Sequence, residues 1–391
     1  MNRTIVRRCL AITAAFLIGL ILPANPASAA GWSTADVGNV GVTGSAVESN
    51  GVWTIQGAGG DIWGIEDAFR FVYTPAFAGH VSARIDSLDN TSPFAKAGVM
   101  FRESLDADAA TVLVDVKPNG EIEFMARSTT GGAMSYVTGA FVTLPVWLDL
   151  SFVSGRPEVV TASYSENNLD WTTLSEATYA GSPNSLLAGV AVTSHDPTQF
   201  TTARVEGLSL LFQGFTSTDI GNVGAAGNGL WNYPNPGTLD VAVEGAGGDI
   251  WGTADAFQFI HRTAMLAPGA GWGIYVKSLQ NTDPFAKAGL MFRDGLAPDA
   301  AHVILDLKPS GEVEFMARPC RGCDTVYIGG TTVAFGDRIS LSRNGDTFTA
   351  WAGGVIGTID VPMPDTIEAG FAVTSHVAGQ LTAAVIEEQE E

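Results

Sequence analysis

Hydrophobic and polar positions alternate with a period of two along most of the chain. In DAFRFVY, Asp67, Phe69, Phe71 and Tyr73 fall on one face of a strand, with Ala68, Arg70 and Val72 on the other. In KAGVMFR, Lys96, Gly98, Met100 and Arg102 share a face, with Ala97, Val99 and Phe101 opposite. The next run puts Thr111, Leu113, Asp115 and Lys117 together. The one after it puts Glu121, Glu123, Met125 and Arg127 outward, with Ile122, Phe124 and Ala126 toward a core. Between these runs Pro118-Asn119-Gly120 carries the Asn-Gly pair of a tight hairpin. Strand-like runs recur about every 8–12 residues with turn signals between them, and no amphipathic helical pattern follows the first thirty residues. The pattern predicts an all-β chain of sandwiches, each built from two antiparallel sheets packed face to face.

The same pattern occurs twice. NTSPFAKAGVMFRESLDADAATVLVDVKPNGEIEFMAR, from Asn90 to Arg127, returns as Asn281 to Arg318 with about two-thirds of its positions identical. STADVGNVG, from Ser33, and TSTDIGNVG, from Thr216, begin the two copies. A GAGGDIWG block follows in each, Gly57 to Gly64 and Gly245 to Gly252, and AVTSH ends both, at His195 and His376. The period is too long for a solenoid unit, so each copy is expected to be a whole domain, 31–213 and 214–391, joined near Gln213-Gly214. The copies differ most between Trp147 and Trp171, a stretch that is shorter in the second copy.

Residues 1–30 carry Arg3, Arg7 and Arg8, an apolar run from Leu10 to Leu22, and Ala27-Ser28-Ala29 as an A-x-A cleavage site. They are expected to be a secretory signal peptide, which places the protein outside the cell. The apolar run is too short for a comfortable membrane span, and no later stretch is long enough. Hydrophobic residues are 46% of the chain and charged ones 16%, so each copy can bury a core. Forty-six glycines and 18 prolines fit many short strands and tight turns. The formal charge of −21 argues against nucleic acid or an anionic membrane as partner.

If the three central strands are neighbours in register, Lys96, Arg102, Asp115, Lys117, Glu121, Glu123 and Arg127 lie on one sheet face. The second copy keeps every member as Lys287, Arg293, Asp306, Lys308, Glu312, Glu314 and Arg318. One reading is a solvated ladder of cross-strand charge pairs, each contributing roughly 0.2–1 kcal/mol. The other is a polar face that binds sugar hydroxyls. Glu121 and Glu123 also have the spacing of a paired-carboxylate catalyst, but neighbouring Arg and Lys are expected to hold both ionised.

DIGNVGAAG, GAGGDIWGTADAF, PFAKAGLMFRD, GEVEFMAR and AVTSH together resemble a bacterial module of the concanavalin A-like lectin/glucanase superfamily. It looks like the domain-of-unknown-function group named after a regulator of enolase, and is similar also to the lectin-like C-terminal module of some β-xylosidases. The resemblance covers nearly the whole chain after the leader, twice. It implies tandem jelly-roll sandwiches, secretion and association with carbohydrate-active enzymes. Glucanases of the superfamily carry E-x-D-x-x-E on one strand. Here the run is Glu121, Glu123, Ala126, and Glu312, Glu314, Ala317, so the third acid is absent from both copies.

Trp63 and Trp251 follow aspartates in glycine-rich turns, suited either to stacking on a sugar or to plugging the sandwich end, with burial favoured. Asp61, Asp67, Asp89 and Asn90 are oxygen donors in turns. Ca²⁺ is the one cofactor they suggest, although their spacing matches no loop signature. Cys320 and Cys323 are expected to form a local disulfide in a hairpin loop. His195 and His376 are read as hydrogen-bonding strand ends, and no catalytic residue or metal ligand is assigned. The function expected is non-catalytic binding of a polysaccharide or cell-surface glycan, through the charged face with Trp63 and Trp251. The alternatives are a glycoside hydrolase or lyase using the paired glutamates, and a structural or adhesive protein with no glycan ligand.

Overall fold

The structure, a computed structural model, describes residues 31–76, 79–153, 156–180, 186–212, 214–235, 238–266 and 269–388. The expected signal peptide, residues 1–30, lies outside the described residues, as does Gln213 at the expected join. The described residues form strands and turns without a helix. The chain is all-β, two tandem jelly-roll sandwiches.

In the first half a seven-stranded sheet runs in the order Ser33–Val37, Phe69–Ala76, Leu186–Thr193, Lys96–Arg102, Thr111–Val116, Glu121–Arg127, Ser135–Phe141. The second half repeats it as Thr216–Ile220, Phe257–Met265, Thr366–Thr374, Lys287–Arg293, His302–Leu307, Glu312–Arg318, Val326–Thr332. The facing layer is one 14-stranded sheet to which both halves contribute. Gly79–Leu88, Val146–Val153 and Asp196–Phe212 belong to its first half, and Thr238–Gly247, Gly271–Leu279 and Val377–Glu388 to its second. The chain crosses between layers, as when Phe69–Ala76 is followed by Gly79–Leu88 and then by Lys96–Arg102.

Alternation builds the core as the sequence indicates. Val99, Val112, Val114 and Phe124 face Val81, Ile85, Leu148 and Val205 in the first sandwich, all fully buried. Leu290, Val303, Leu305 and Phe315 meet Val276, Leu341 and Ile386 in the second. The Asn119-Gly120 turn forms as expected, with Gly120 at φ 84° and the Lys117 amide donating to the Glu121 carbonyl at 2.8 Å. The two sandwiches are not beads on a string. Leu210 pairs in parallel with Leu230, Asn50 Nδ2 donates to the Gly379 carbonyl at 3.0 Å, and Asn168 Nδ2 donates to the Ser217 carbonyl at 3.0 Å. Asn168 belongs to the stretch that is longer in the first copy, so this extension is part of the contact between the halves.

The other side of each seven-stranded sheet departs from expectation. The charged side chains share one face and their strands are in register, but most of that face is not solvated. Met100, Leu113 and Met125 form a row with Ile62, Phe69 and Phe71 in a second, smaller apolar cluster. The GAGGDIWG block folds back over it as a lid. Ile62 is buried there, Gly59 at φ 133° passes so close to Ala68 that any Cβ would strike the Ala68 carbonyl, and the Ala68 amide donates to the Asp61 carbonyl at 2.8 Å. The second copy does the same with Ile250, Met291, Ile304 and Met316.

Asp67, at the end of the lid, meets Arg102 at 3.2 Å and Arg127 at 2.7 and 2.6 Å, all three side chains fully buried. Arg127 also donates to the Gly64 carbonyl at 3.3 Å, and Arg102 to the Ser104 and Asp106 carbonyls at 2.5 Å. In the second copy Arg318 grips Asp255 at 2.8 and 2.6 Å, with Arg293 at 3.6 Å and His302 Nδ1 at 3.4 Å. Burial alone raises the Asp255 carboxyl, but His302 and Arg318 more than offset it and hold the group below the ordinary value.

Removing the carboxylate leaves two guanidinium groups buried without their anion, a loss of about 3–5 kcal/mol. Asp67→Ala is expected to destabilise the first sandwich and Asp255→Ala the second by that amount in denaturant titration. A loss below about 1 kcal/mol would show that the clamp does not hold the lid.

Candidate functional site

With the lid in place, the outer face of the sheet divides into four rows across the strands. Arg102, Thr111 and Arg127 form the sealed row, and Met100, Leu113 and Met125 the apolar one. Gly98, Asp115 and Glu123 follow, and Lys96, Lys117 and Glu121 end the face at the margin of the lid, whose Asp61 reaches Lys96. Of the predicted site residues, Lys96, Asp115, Lys117, Glu121 and Glu123 are brought together. Arg102 and Arg127 are not, and neither are Arg293 and Arg318 in the second copy. The expectation that these arginines face a ligand is corrected: each is fully buried and spent on its aspartate.

At the open end Lys96 Nζ bonds Asp61 at 2.8 Å and lies 3.7 Å from Glu123. Lys117 Nζ bridges the two glutamates, at 3.1 Å from Glu121 and 2.9 Å from Glu123. The second copy repeats this: Lys287 bonds Asp249, and Lys308 lies 3.2 Å from Glu312 and 2.9 Å from Glu314. Burial alone lowers the Lys117 and Lys308 ammonium groups, but the hydrogen bonds they donate to the paired glutamates raise both above the ordinary value. This is the arrangement that argues against Glu121 and Glu123 as an acid–base pair, because one ammonium holds both.

The AVTSH strand end completes the site. Thr193 Oγ1 donates to the Gly59 and Ala68 carbonyls of the lid at 3.3 and 3.0 Å, and Ser194 Oγ closes the turn on the Asp196 carbonyl at 2.6 Å. The histidine between them takes a left-handed backbone, φ 58° at His195 and 61° at His376. A non-glycine residue there stores strain of order 1–3 kcal/mol, which tends to collect at functional positions. His195 Nε2 lies 3.4 Å from Asp61, and its ring is 5.1 Å from Phe94. His376 lies 3.5 Å from Asp249, with its ring 5.3 Å from Phe285, and also contacts Asp283 at 3.3 Å.

Phe94 and Phe285 stand more than half exposed, with the Lys117 and Lys308 ammonium groups 5.4 and 5.1 Å from their ring centres. On the far side, Gly139 pairs with Glu123 and Gly330 with Glu314. The exposed Tyr136 and Tyr327 lie over these glycines, with hydroxyls 2.8 and 2.7 Å from where a Cβ would sit. Each copy thus has a groove with a polar floor, a phenylalanine–histidine wall and a tyrosine rim. The first copy adds Phe141, 74% exposed, paired with Glu121, where the second has Thr332. Phe94, Tyr136 and their counterparts escaped the sequence reading. The signal available was PFAK, an aromatic kept directly before the charged strand in both copies.

The preference for burying Trp63 and Trp251 is also corrected. Both are 45% exposed, because alternation at the lid turns Ile62 and Ile250 inward and the tryptophans outward. The oxygen donors offered for Ca²⁺ are not brought together. Asp61 is held by Lys96 and His195, Asp67 by two arginines, and no group of three His, Cys, Asp or Glu among the described residues is placed to hold a metal. Cys320 and Cys323 pair as expected across a turn, with Cα atoms 5.3 Å apart.

No family model matches the chain, and no curated protein matches it. Among solved structures, the chain is similar at 15% identity to a functionally unknown protein from Saccharomyces cerevisiae. That match covers 43% of this chain and 91% of that one, with a TM-score of 0.35. It is similar at 14% to the carbohydrate binding module CBM66 from Bacillus subtilis, over 45% and 96%, with a TM-score of 0.28. A GlcNAcα1-4Gal-releasing endo-β-galactosidase from Clostridium perfringens is 9% identical over 89% and 99%, with a TM-score of 0.30.

Asp115 and Asp306 lie in the groove floor, fully buried, with neither carboxyl oxygen hydrogen-bonded. Burial is the largest cause that pushes Asp306 up to about 8; Lys287 opposes it, and Glu314 adds to it. The folded state therefore holds a proton that the unfolded chain releases. Its contribution is complete below the ordinary carboxylate range and is lost as pH rises through about 8. Asp306→Asn removes that titration. Its thermal midpoint is expected to gain on the parent as pH rises from about 5 to about 9, and a constant difference would contradict the assignment.

Proposed function

We propose that the protein is a secreted, non-catalytic binder of polysaccharide, with one glycan site in each of two domains, 31–213 and 214–391. The observation that carries this reading is the repeated groove. An exposed aromatic ring stands beside a strained histidine, over a floor of lysines and carboxylates, with matching partners at matching distances in both copies. Aromatic rings stack on the apolar face of a sugar, and fixed carboxylates accept from its hydroxyls. The ion pairs hold the floor rigid, so the same charges serve both structure and binding. The secretory leader read from the first thirty residues supports an extracellular ligand.

Packing between the sandwiches supports a fixed relation between the two sites, which favours a polymer over a monosaccharide. A second weak contact then occurs at high effective concentration only if the polymer spans the set distance.

The test is depletion of the protein from solution by a panel of insoluble and soluble polysaccharides. Phe94→Ala/Phe285→Ala removes exposed side chains only. It is expected to weaken binding about tenfold, equivalent to about 1.4 kcal/mol, with an unchanged melting temperature. Unchanged affinity in the folded double variant would remove the groove as the site.

A further inference from the structure

The floor of the groove carries more than a generic polar surface, and its charge balance bears on which glycans it takes. In the first copy four carboxyls, Asp61, Asp115, Glu121 and Glu123, stand against two ammonium groups, Lys96 and Lys117. The two signs are not equally accessible. The Lys96 and Lys117 side chains are almost wholly buried, and each ammonium is already matched by carboxylates. The carboxylates are the exposed members, with Glu121 31% and its counterpart Glu312 50% open to solvent. In the second copy Asp283 adds a further carboxylate beside His376. The histidines are the remaining basic groups of the floor, and the Nε2 of each already faces Asp61 or Asp249.

Behind these exposed carboxylates lie the aspartates of the floor. The Asp115 and Asp306 carboxyls are fully buried, share the face of Glu123 and Glu314, and have no hydrogen-bond partner on either oxygen. Gly98 and Gly289 let the strands close on these aspartates, since a Cβ there would come within 2.7 and 2.9 Å of the aspartate Cβ atoms. Both carboxyls are sealed from solvent, so the acceptors a ligand meets are the exposed Glu121 and Glu312, and no described lysine of the floor is free to meet an anion.

Resting on the glycan reading, we infer that both grooves take uncharged, hydroxyl-rich polysaccharide and reject uronic-acid and sulfated polymers. A hydroxyl donates to the exposed carboxylates. A ligand carboxylate or sulfate instead meets like charge at short range, where juxtaposition disfavours the wrong partner.

The test uses matched polymers that differ in charge: hydroxyethyl against carboxymethyl cellulose, methyl-esterified pectin against polygalacturonate, and agarose against carrageenan. In whichever pair retains the protein, the uncharged member is expected to bind at least about tenfold more tightly at low ionic strength. The ratio should shrink in about 0.5 M salt as the repulsion is screened. Glu121→Lys/Glu312→Lys, at exposed positions, should raise binding to the charged member of the same pair. Equal or tighter retention by the charged member, or a ratio indifferent to salt, overturns the inference while leaving the glycan site standing. Retention by none of the six polymers counts against the glycan reading itself, and the inference falls with it.

Discussion

The outer face of each seven-stranded sheet is organised by one buried carboxylate. Asp67 sits between Arg102 and Arg127, and Asp255 between Arg293 and Arg318, with every side chain fully buried. Charges so placed gain little net stability over an apolar cluster, but breaking one is costly. Their value here lies in specificity. The pair fixes where the lid lands, the lid buries Ile62 and the Met100–Leu113–Met125 row, and only the far end of the face stays open. The groove is thus the part of a charged sheet face that its own chain does not cover.

This division explains what was legible in the sequence. Alternation gave the faces correctly, and the Lys96, Asp115, Glu123 and Arg127 sets do share one side in register. Alternation reports which side a residue points to, not what lies over that side. The lid is a non-local element whose closeness depends on Gly59 and on a pairing between Asp67 and Arg127, sixty residues apart. Nothing local in GAGGDIWG announces it. For the same reason Trp63 was read as buried when its neighbour Ile62 takes that role. His195 looked like a bland strand end because a positive φ leaves no trace in residue type. Phe94 lies just outside the Lys96–Arg102 strand, so alternation assigns it to neither face.

The relation between the halves carries a second constraint. Leu230 of the second half packs with the first core, and Leu211 of the first half with the second. The Trp147–Trp171 stretch, the main length difference between the copies, supplies Asn168 to this contact. Divergence of that stretch therefore has a structural reason: one sandwich carries the part of the contact that its twin does not repeat. The conserved centre and the divergent flank serve different ends, the groove in one case and the join in the other.

The most direct measurement of the central claim is amide hydrogen exchange with and without a polysaccharide that depletes the protein. Slowed exchange is expected at Phe94–Lys96, Lys117–Glu123 and around His195, and at the matching positions around Phe285, Lys308 and His376. Protection confined to the Trp63 and Trp251 lids, or to the contact between the halves, would contradict the account.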